Sequence, residues 1–224
     1  MTKRYALRDD QWERIKDLLP GRPGTVGVTA KDNRLFVEAI LYRYRSGIPW
    51  RDLPERFGDF RVVHTRFSRW AKTGVWQRVF EPEKKEQAIG RSKGGLSTKI
   101  HARTDALGNP TGFYLTAGQA HDLNGADVLL DLSLSQTWLM DKAYNSRDRV
   151  IDPIHKINGQ VVMPSKSNAI DQRDYDQHLY KARHLIENFF AKLKQYRGIA
   201  TRYDKLAQNF LSAIYLASIM IWLN

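Results

Sequence analysis

The sequence predicts an α/β protein in two parts. A basic, helical module occupies residues 1–80, and a mixed-sheet domain occupies 96–224 beyond a charged linker over 81–95. Three observations carry this. Apolar residues recur at helical spacing through the first eighty positions, as in Trp12, Ile15, Leu18 and Leu19 and again in Val63, Phe67 and Trp70. Residues 96–104 change period and alternate strictly, followed by short apolar runs that read as strands. Helical patterns then return over 180–194 and 206–223 and close the chain.

The first helix spans residues 7–19, with Asp9 and Asp10 suited to its first turn. A loop rich in proline and glycine follows. Thr29 or Lys31 opens a second helix with Leu35, Phe36, Ala39 and Ile40 on one side, and Gly47, Ile48, Pro49 and Trp50 stop it. After a short helix over 51–57 and the turn at Gly58 and Asp59, another helix runs to Lys72. Its underside carries Val63, Phe67 and Trp70. Arg61, Thr65, Ser68, Arg69 and Lys72 share an arc of roughly 100° on the other side. An aromatic underside and an arginine-hydroxyl upper side, reached by a tight turn, look like a helix-turn-helix recognition helix. Arginines can read guanine edges, and hydroxyls and lysines can anchor phosphates. A solvated basic face on a helical bundle remains the plain alternative.

Beyond the linker, Leu96, Thr98, Ile100 and Ala102 point one way and Ser97, Lys99, His101 and Arg103 the other. The chain turns over 105–110 and returns over 112–116, which predicts a hairpin. Asp122 is placed to cap a helix through Leu132. The run from Thr137 to Met140 reads as a short strand ending on Asp141, a position where ligands collect in open α/β sheets, or else as a strand ending on a loop-capping acid. A helix over 147–158 and a strand over 160–164 come next. His101, His121 and His184 do not have metal-ligand spacing, so no zinc is expected.

The helix over 180–194 presents two faces. Leu179, Ala182, Ile186, Phe189 and Leu193 form the packed one. Tyr180, Arg183, Glu187 and Lys194 fall within roughly 60° on an adjoining one, placing a carboxylate between two cations and a phenol. Lys plus Arg number 36 against 24 Asp plus Glu, a net charge of +12, and the first eighty residues hold 17 basic and 9 acidic residues. That excess argues for a polyanionic partner, most often nucleic acid, although ribosomal and membrane-surface proteins share it. No cysteine occurs, which excludes disulfides and thiolate zinc sites. The N-terminus shows no apolar run of a secretory signal. Gln208, Asn209 and Ser212 interrupt the terminal apolar stretch, so it reads as a buried helix rather than a membrane span. A cytoplasmic protein is expected.

The spacing Tyr180, Arg183, Glu187, Lys194 resembles the Tyr-(2)-Arg-(3)-Glu-(6)-Lys motif of bacterial insertion-sequence DDE transposases of the insertion sequence five type. The stretches from Gly47 to Pro54, Arg66 to Trp70 and Gly118 to Asp122 resemble the same family. The resemblance implies an RNase H-like catalytic domain and a DNA-binding module over 1–80, engaging the element ends through Arg61, Thr65, Arg66, Ser68, Arg69 and Lys72. It implies Asp141 and Glu187 as metal-ligating carboxylates, Arg183 and Tyr180 as their supports, and Lys194 as a contact to the DNA backbone. The implied cofactor is Mg²⁺, for which Mn²⁺ can substitute, and the implied partner is double-stranded DNA, both terminal inverted repeats and target. A homodimer on DNA, associated with the bacterial nucleoid, is expected.

The family's first carboxylate lies on the first strand of the sheet, between the DNA-binding module and the Gly90 to Gly95 segment. No β-type run ending on Asp occupies that interval. The expectation is that this strand and its aspartate are missing, as an internal deletion would leave them, with catalysis weakened and the sheet edges exposed. The alternative is a substitute strand carrying Glu81, Glu83 or Glu86. The expected activity is metal-dependent DNA cleavage and strand transfer. Its rival is a non-catalytic, DNA-binding deletion derivative that regulates a full-length transposase.

Overall fold

A computed structural model describes residues 5–23, 29–80, 90–92, 95–165 and 172–223. Glu81, Glu83 and Glu86 lie outside the described residues. The chain divides into two compact units, Met1–Glu86 with Phe190–Asn224, and Gln87–Phe189. The expected catalytic domain over 96–224 is therefore divided between them, because its last helices pack with the N-terminal ones.

The first unit is helical. It contains α1 (Asp9–Ile15), α2 (Asn33–Ser46), α3 (Phe60–Lys72), α4 (Val75–Phe80) and, from the end of the chain, α9 (Arg197–Ala200) and α10 (Ala207–Trp222). Asp32 caps α2 by accepting from Leu35 N at 2.8 Å. Gly47 ends it in a left-handed conformation (φ 71°), which glycine adopts without a Cβ penalty, and its N–H reaches Arg43 O. The expected helix over 51–57 forms as two 3-10 turns, Trp50–Asp52 and Glu55–Phe57, since Pro54 between them has no N–H to continue a ladder. Phe36, Phe67, Trp70 and Trp76 make a contiguous aromatic core, with Phe36 edge-on to Trp70 at 5.0 Å and Trp70 tilted on Trp76 at 5.2 Å. Apolar residues all round α10 pack against α2, α3 and α4, so this helix is core on nearly every side. Among the described residues, no helix is long and apolar enough to cross a membrane.

The second unit holds two small sheets. In one, β1 (Gly90–Ser92), β2 (Gly95–Thr104) and β3 (Pro110–Ala117) run antiparallel in that order. In the other, β4 (Thr137–Leu139) and β5 (Gln160–Val162) are parallel, with Trp138 opposite Val161. Part of the expected linker thus pairs as β1. The two faces of the β2–β3 hairpin are covered differently. Ile100 opposite Leu115 and Ala102 opposite Phe113 form an apolar face, and Phe113 stacks on Phe189 with ring centroids 5.7 Å apart. The other face carries Lys99, His101 and Arg103 and lies under α5 (Leu123–Leu129). Lys99 pairs with Asp122 at 2.9 Å, and Arg103 donates to Leu129 O at 3.1 Å. Asp122 therefore spends its carboxylate on Lys99 rather than on a helix cap. Trp138 packs with Leu123, Ala126, Val150 and Ile154. Val150 belongs to a π-helical turn (Arg147–Ile151) that leads into α6 (Asp152–Lys156).

Candidate active site

β4 sets the position of Asp141. Burial of Trp138 and its parallel pairing with β5, continued by Met140 N–H to Val162 O at 3.2 Å, bring the strand end to a defined point. Asp141 then caps a 3-10 turn, Lys142–Tyr144, its Oδ1 accepting from Ala143 N at 3.0 Å. The structural reading of this acid as a cap is thus correct, and it leaves the other carboxylate oxygen available. Arg183 Nη1 lies 3.2 Å from that Oδ2.

Arg183 comes from the helical run after residue 176. Asp176 caps its start by accepting from Leu179 N. The run is α7 (Gln177–Tyr180), a 3-10 turn (Lys181–Arg183) and α8 (His184–Lys194), where an unbroken helix was expected. Arg183 Nη2 donates to Glu187 Oε1 at 2.5 Å, one helical turn on. One planar guanidinium therefore meets both acids, hydrogen-bonded to Glu187 and ion-paired with Asp141, which bounds the separation of the two contacting oxygens at about 8 Å, the span of one fork and its two contacts. The guanidinium carbon stands 5.8 Å from the Tyr180 ring centroid, and Tyr175 meets the same ring edge-on at 5.4 Å. Burial raises the Tyr180 phenol above its ordinary pKa, Arg183 opposes the shift, and Asp141 adds to it.

Asp141, Glu187, Arg183 and Tyr180 are thus gathered within the second unit. Lys194 lies on the last turn of the same helix, α8, seven residues beyond Glu187. Side-chain exposures of 42% for Asp141 and 57% for Glu187 leave the acids open to solvent and to an entering ion. Two carboxylates suit a hard divalent cation that completes its shell with water and substrate phosphate. Among the described residues, no cluster of three or more His, Asp or Glu gathers to hold a metal. The donor set fits one such ion more closely than two.

The candidate nucleic-acid face on α3 divides into free and engaged residues. Thr65, Arg69 and Lys72 are exposed, as are Val62 and His64 beside them. Arg61 is exposed but held by the N-cap Asp59 through a 2.7 Å ion pair. Arg66 is half-buried, stacked over Phe36 at 4.1 Å and Trp70 at 4.6 Å and bonded to Asn33. Ser68 accepts from Asn209 Nδ2 at 3.1 Å. Arg66 and Ser68 therefore tie α3 to its own unit, a role that helical periodicity does not reveal.

Two polar residues near the site escape sequence reasoning. His101, 3% exposed, lies 3.0 Å from the Tyr144 hydroxyl through Nδ1 and 2.8 Å from Thr116 Oγ1 through Nε2. Its isolation among the histidines suggested an incidental residue. The usable signal was its place on an alternating strand face opposite a helix containing Gly125.

The chain matches two families, one described as "Transposase DDE domain" over residues 59–223 and one described as "Putative transposase of IS4/5 family" over 7–80. It is 38% identical over 133 residues to a Brucella ovis protein named as a putative transposase for insertion sequence element IS6501, covering 58% of this chain and 100% of that protein. It is 55% identical over 72 residues to the uncharacterized protein y4sN of Sinorhizobium fredii, covering 31% of this chain and 56% of that one. It is 34% identical over 84 residues to an uncharacterized 16.2 kDa protein of insertion element IS402 from Burkholderia cepacia, covering 34% of this chain. The chain spans about half the length of these last two, 56% and 55%. No solved structure matches it.

Proposed function

Since the chain belongs to the transposase DDE domain family, we propose that it binds the ends of an insertion element and acts there in metal-dependent DNA cleavage and strand transfer. The observation that carries this is the convergence of Asp141 and Glu187, distant in sequence, on the two nitrogens of Arg183. Two carboxylates repel each other, and a shared guanidinium offsets that repulsion before any cation arrives. Asp141 and Glu187 would hold a divalent ion, Mg²⁺ by resemblance. When bound, such an ion would supply Lewis-acid activation of an attacking water or 3′-hydroxyl. Arg183 must release both acids for them to turn to the ion, and its freed guanidinium is then well suited to a DNA phosphate. Tyr180 supports Arg183 from the side. Lys194 would meet the backbone of the DNA.

Thr65, Arg69 and Lys72 are the best-placed readers of the helix-turn-helix-like module, with Arg61 joining once Asp59 lets it go. A homodimer on paired ends accords with an inverted-repeat substrate. Glu187→Gln and Asp141→Asn test the reading. With end-containing duplex and Mn²⁺, both are expected to abolish whatever nicking the unchanged protein shows, while gel-shift affinity stays within about threefold. Equal nicking by all three proteins would overturn it.

A second reading is favoured by a specific observation. Among the described residues, β2–β3 and β4–β5 form separate sheets, and Asp141 and Glu187 have no third acid beside them. This is the pattern expected if the linking strand and its aspartate were deleted within an RNase H-like domain. The chain would then occupy element ends without cutting them and compete with a full-length relative. Specific binding to ends across a salt series, with no nicking in Mn²⁺, is its signature.

A further inference from the structure

We propose that His101 and Tyr144 are a positioning pair for the proposed metal-binding carboxylates. In this role, the imidazole–phenol hydrogen bond pins the turn that presents Asp141 to the β2–β3 hairpin. The inference rests on Asp141 and Glu187 acting together as proposed above. Four elements meet at the pair. Tyr144 closes the 3-10 turn begun by Asp141, with its own N–H bonded to Asp141 O at 2.9 Å. Its hydroxyl lies 3.0 Å from His101 Nδ1 on β2, and His101 Nε2 lies 2.8 Å from Thr116 Oγ1 on β3. Gly125 on α5 leaves the space, since a Cβ there would sit 2.2 Å from His101 Nδ1. Both ring nitrogens of a buried imidazole are thus satisfied, one by the hairpin itself and one by the Asp141 turn.

The opposite face of the same hairpin holds the helix bearing Glu187. Phe113 stacks on Phe189, and an added Cβ at Gly108 would come within 3.0 Å of Leu185 Cβ. The hairpin therefore acts as a common ruler. Its apolar face fixes α8 two residues beyond Glu187, and its polar face fixes the turn three residues beyond Asp141. Since β4 shares no ladder with β2 or β3 among the described residues, backbone pairing does not set that spacing. The His101–Tyr144 bond is a directional tie between the Asp141 turn and the hairpin. Outer-shell partners of this kind typically change metal affinity by about 10–100-fold when removed.

Mn²⁺ titration of the full chain, followed by electron paramagnetic resonance, tests the proposal without requiring turnover. Tyr144→Phe keeps the ring in the apolar cluster and removes only the hydroxyl. It is expected to weaken Mn²⁺ binding by about tenfold. Thr116→Val leaves Tyr144 untouched and loosens the imidazole, with a smaller loss expected, and it serves if Tyr144→Phe does not fold. Lys99→Met breaks the neighbouring pair with Asp122 on the same hairpin face and should leave Mn²⁺ affinity unchanged even where it lowers Tm. The proposal is overturned if Tyr144→Phe and Thr116→Val bind Mn²⁺ as the unchanged protein does. It is equally overturned if Lys99→Met weakens binding as much as they do, because the effect would then track stability alone. Asp141→Asn and Glu187→Gln stand as the reference. Should neither weaken Mn²⁺ binding, the metal site itself fails, and the proposed function falls with it.

Discussion

In the helical unit, Arg43 and Tyr44 both bond the carboxylate of Asp204, at 3.1 and 2.8 Å, with all three residues buried beside Trp50 and Phe67. In the sheet unit, His101 holds Thr116 and Tyr144 beneath a single short helix, and the acids next to that network are open to water. Both units bury polar groups with partners, yet they do so in different surroundings. The helical unit surrounds its ion pair with aromatic rings and the long α10, so the pair is deeply desolvated. The sheet unit has thin layers and separate sheets, so a few directed hydrogen bonds set where its segments lie. A lost partner should therefore threaten folding in the first unit and geometry in the second.

The sharpest way to break that contrast is Asp204→Ala. Leaving Arg43 buried and unpaired should lower stability by about 3–5 kcal/mol. Urea unfolding of the full chain measures this, and a loss near that of an exposed pair would mean that the site admits water. Gly125→Ala probes the sheet unit from the opposite direction. A Cβ pressed against the His101 ring should cost about 1–3 kcal/mol as overpacking, and the Mn²⁺ affinity should fall with it.

The pH dependence should differ between the units as well. Burial holds the His101 imidazole below its ordinary value of 6.5, with Asp122 opposing the shift. The unfolded chain then takes up a proton that the folded one resists. The His101 contribution is fully present above pH 6.5 and lost as pH falls below it. Burial, then Asp122 and Asp141, pushes the Tyr144 phenol up from 10.0 to about 12. Its contribution is present below pH 10 and is lost as pH rises toward 12. Hydrogen exchange at pH 5 and pH 8 should therefore show β2 and β3 losing protection in acid ahead of α2 and α10. The smallest effect expected is that of Arg69→Ala on the exposed face of α3. It should weaken DNA binding evenly across sequences and reduce the salt slope by about one if it meets a phosphate. The same change at Arg66 should instead lower stability, because that side chain is stacked on Phe36 and Trp70.

Much of the architecture was legible in the residues. The 3.6-residue spacing of Val63, Phe67 and Trp70 located α3, the strict alternation from Leu96 located β2, and the apolar run before Asp141 located β4. Boundaries shifted where local chemistry intervened, as at Pro54 and in the 3-10 turn before His184. The candidate acids were legible through the spacing around Glu187 and the strand-end position of Asp141. Their shared partner was not, because periodicity places Arg183 near Glu187 on one helix but cannot say which loop meets it from the other side.

Periodicity works because it depends on neighbours three or four residues apart, whose side chains must sort between water and a packed face. Residue order alone was therefore enough for the longer helices, the hairpin, the basic character of α3 and the family of the chain. Contacts between distant segments had to await the folded arrangement. That α10 packs with the N-terminal helices, that Arg66 and Ser68 are engaged within their own unit, and that His101 reaches Tyr144 all depend on which surfaces meet. Many pairings of surfaces bury similar apolar area, and only the packing of the whole chain selects among them.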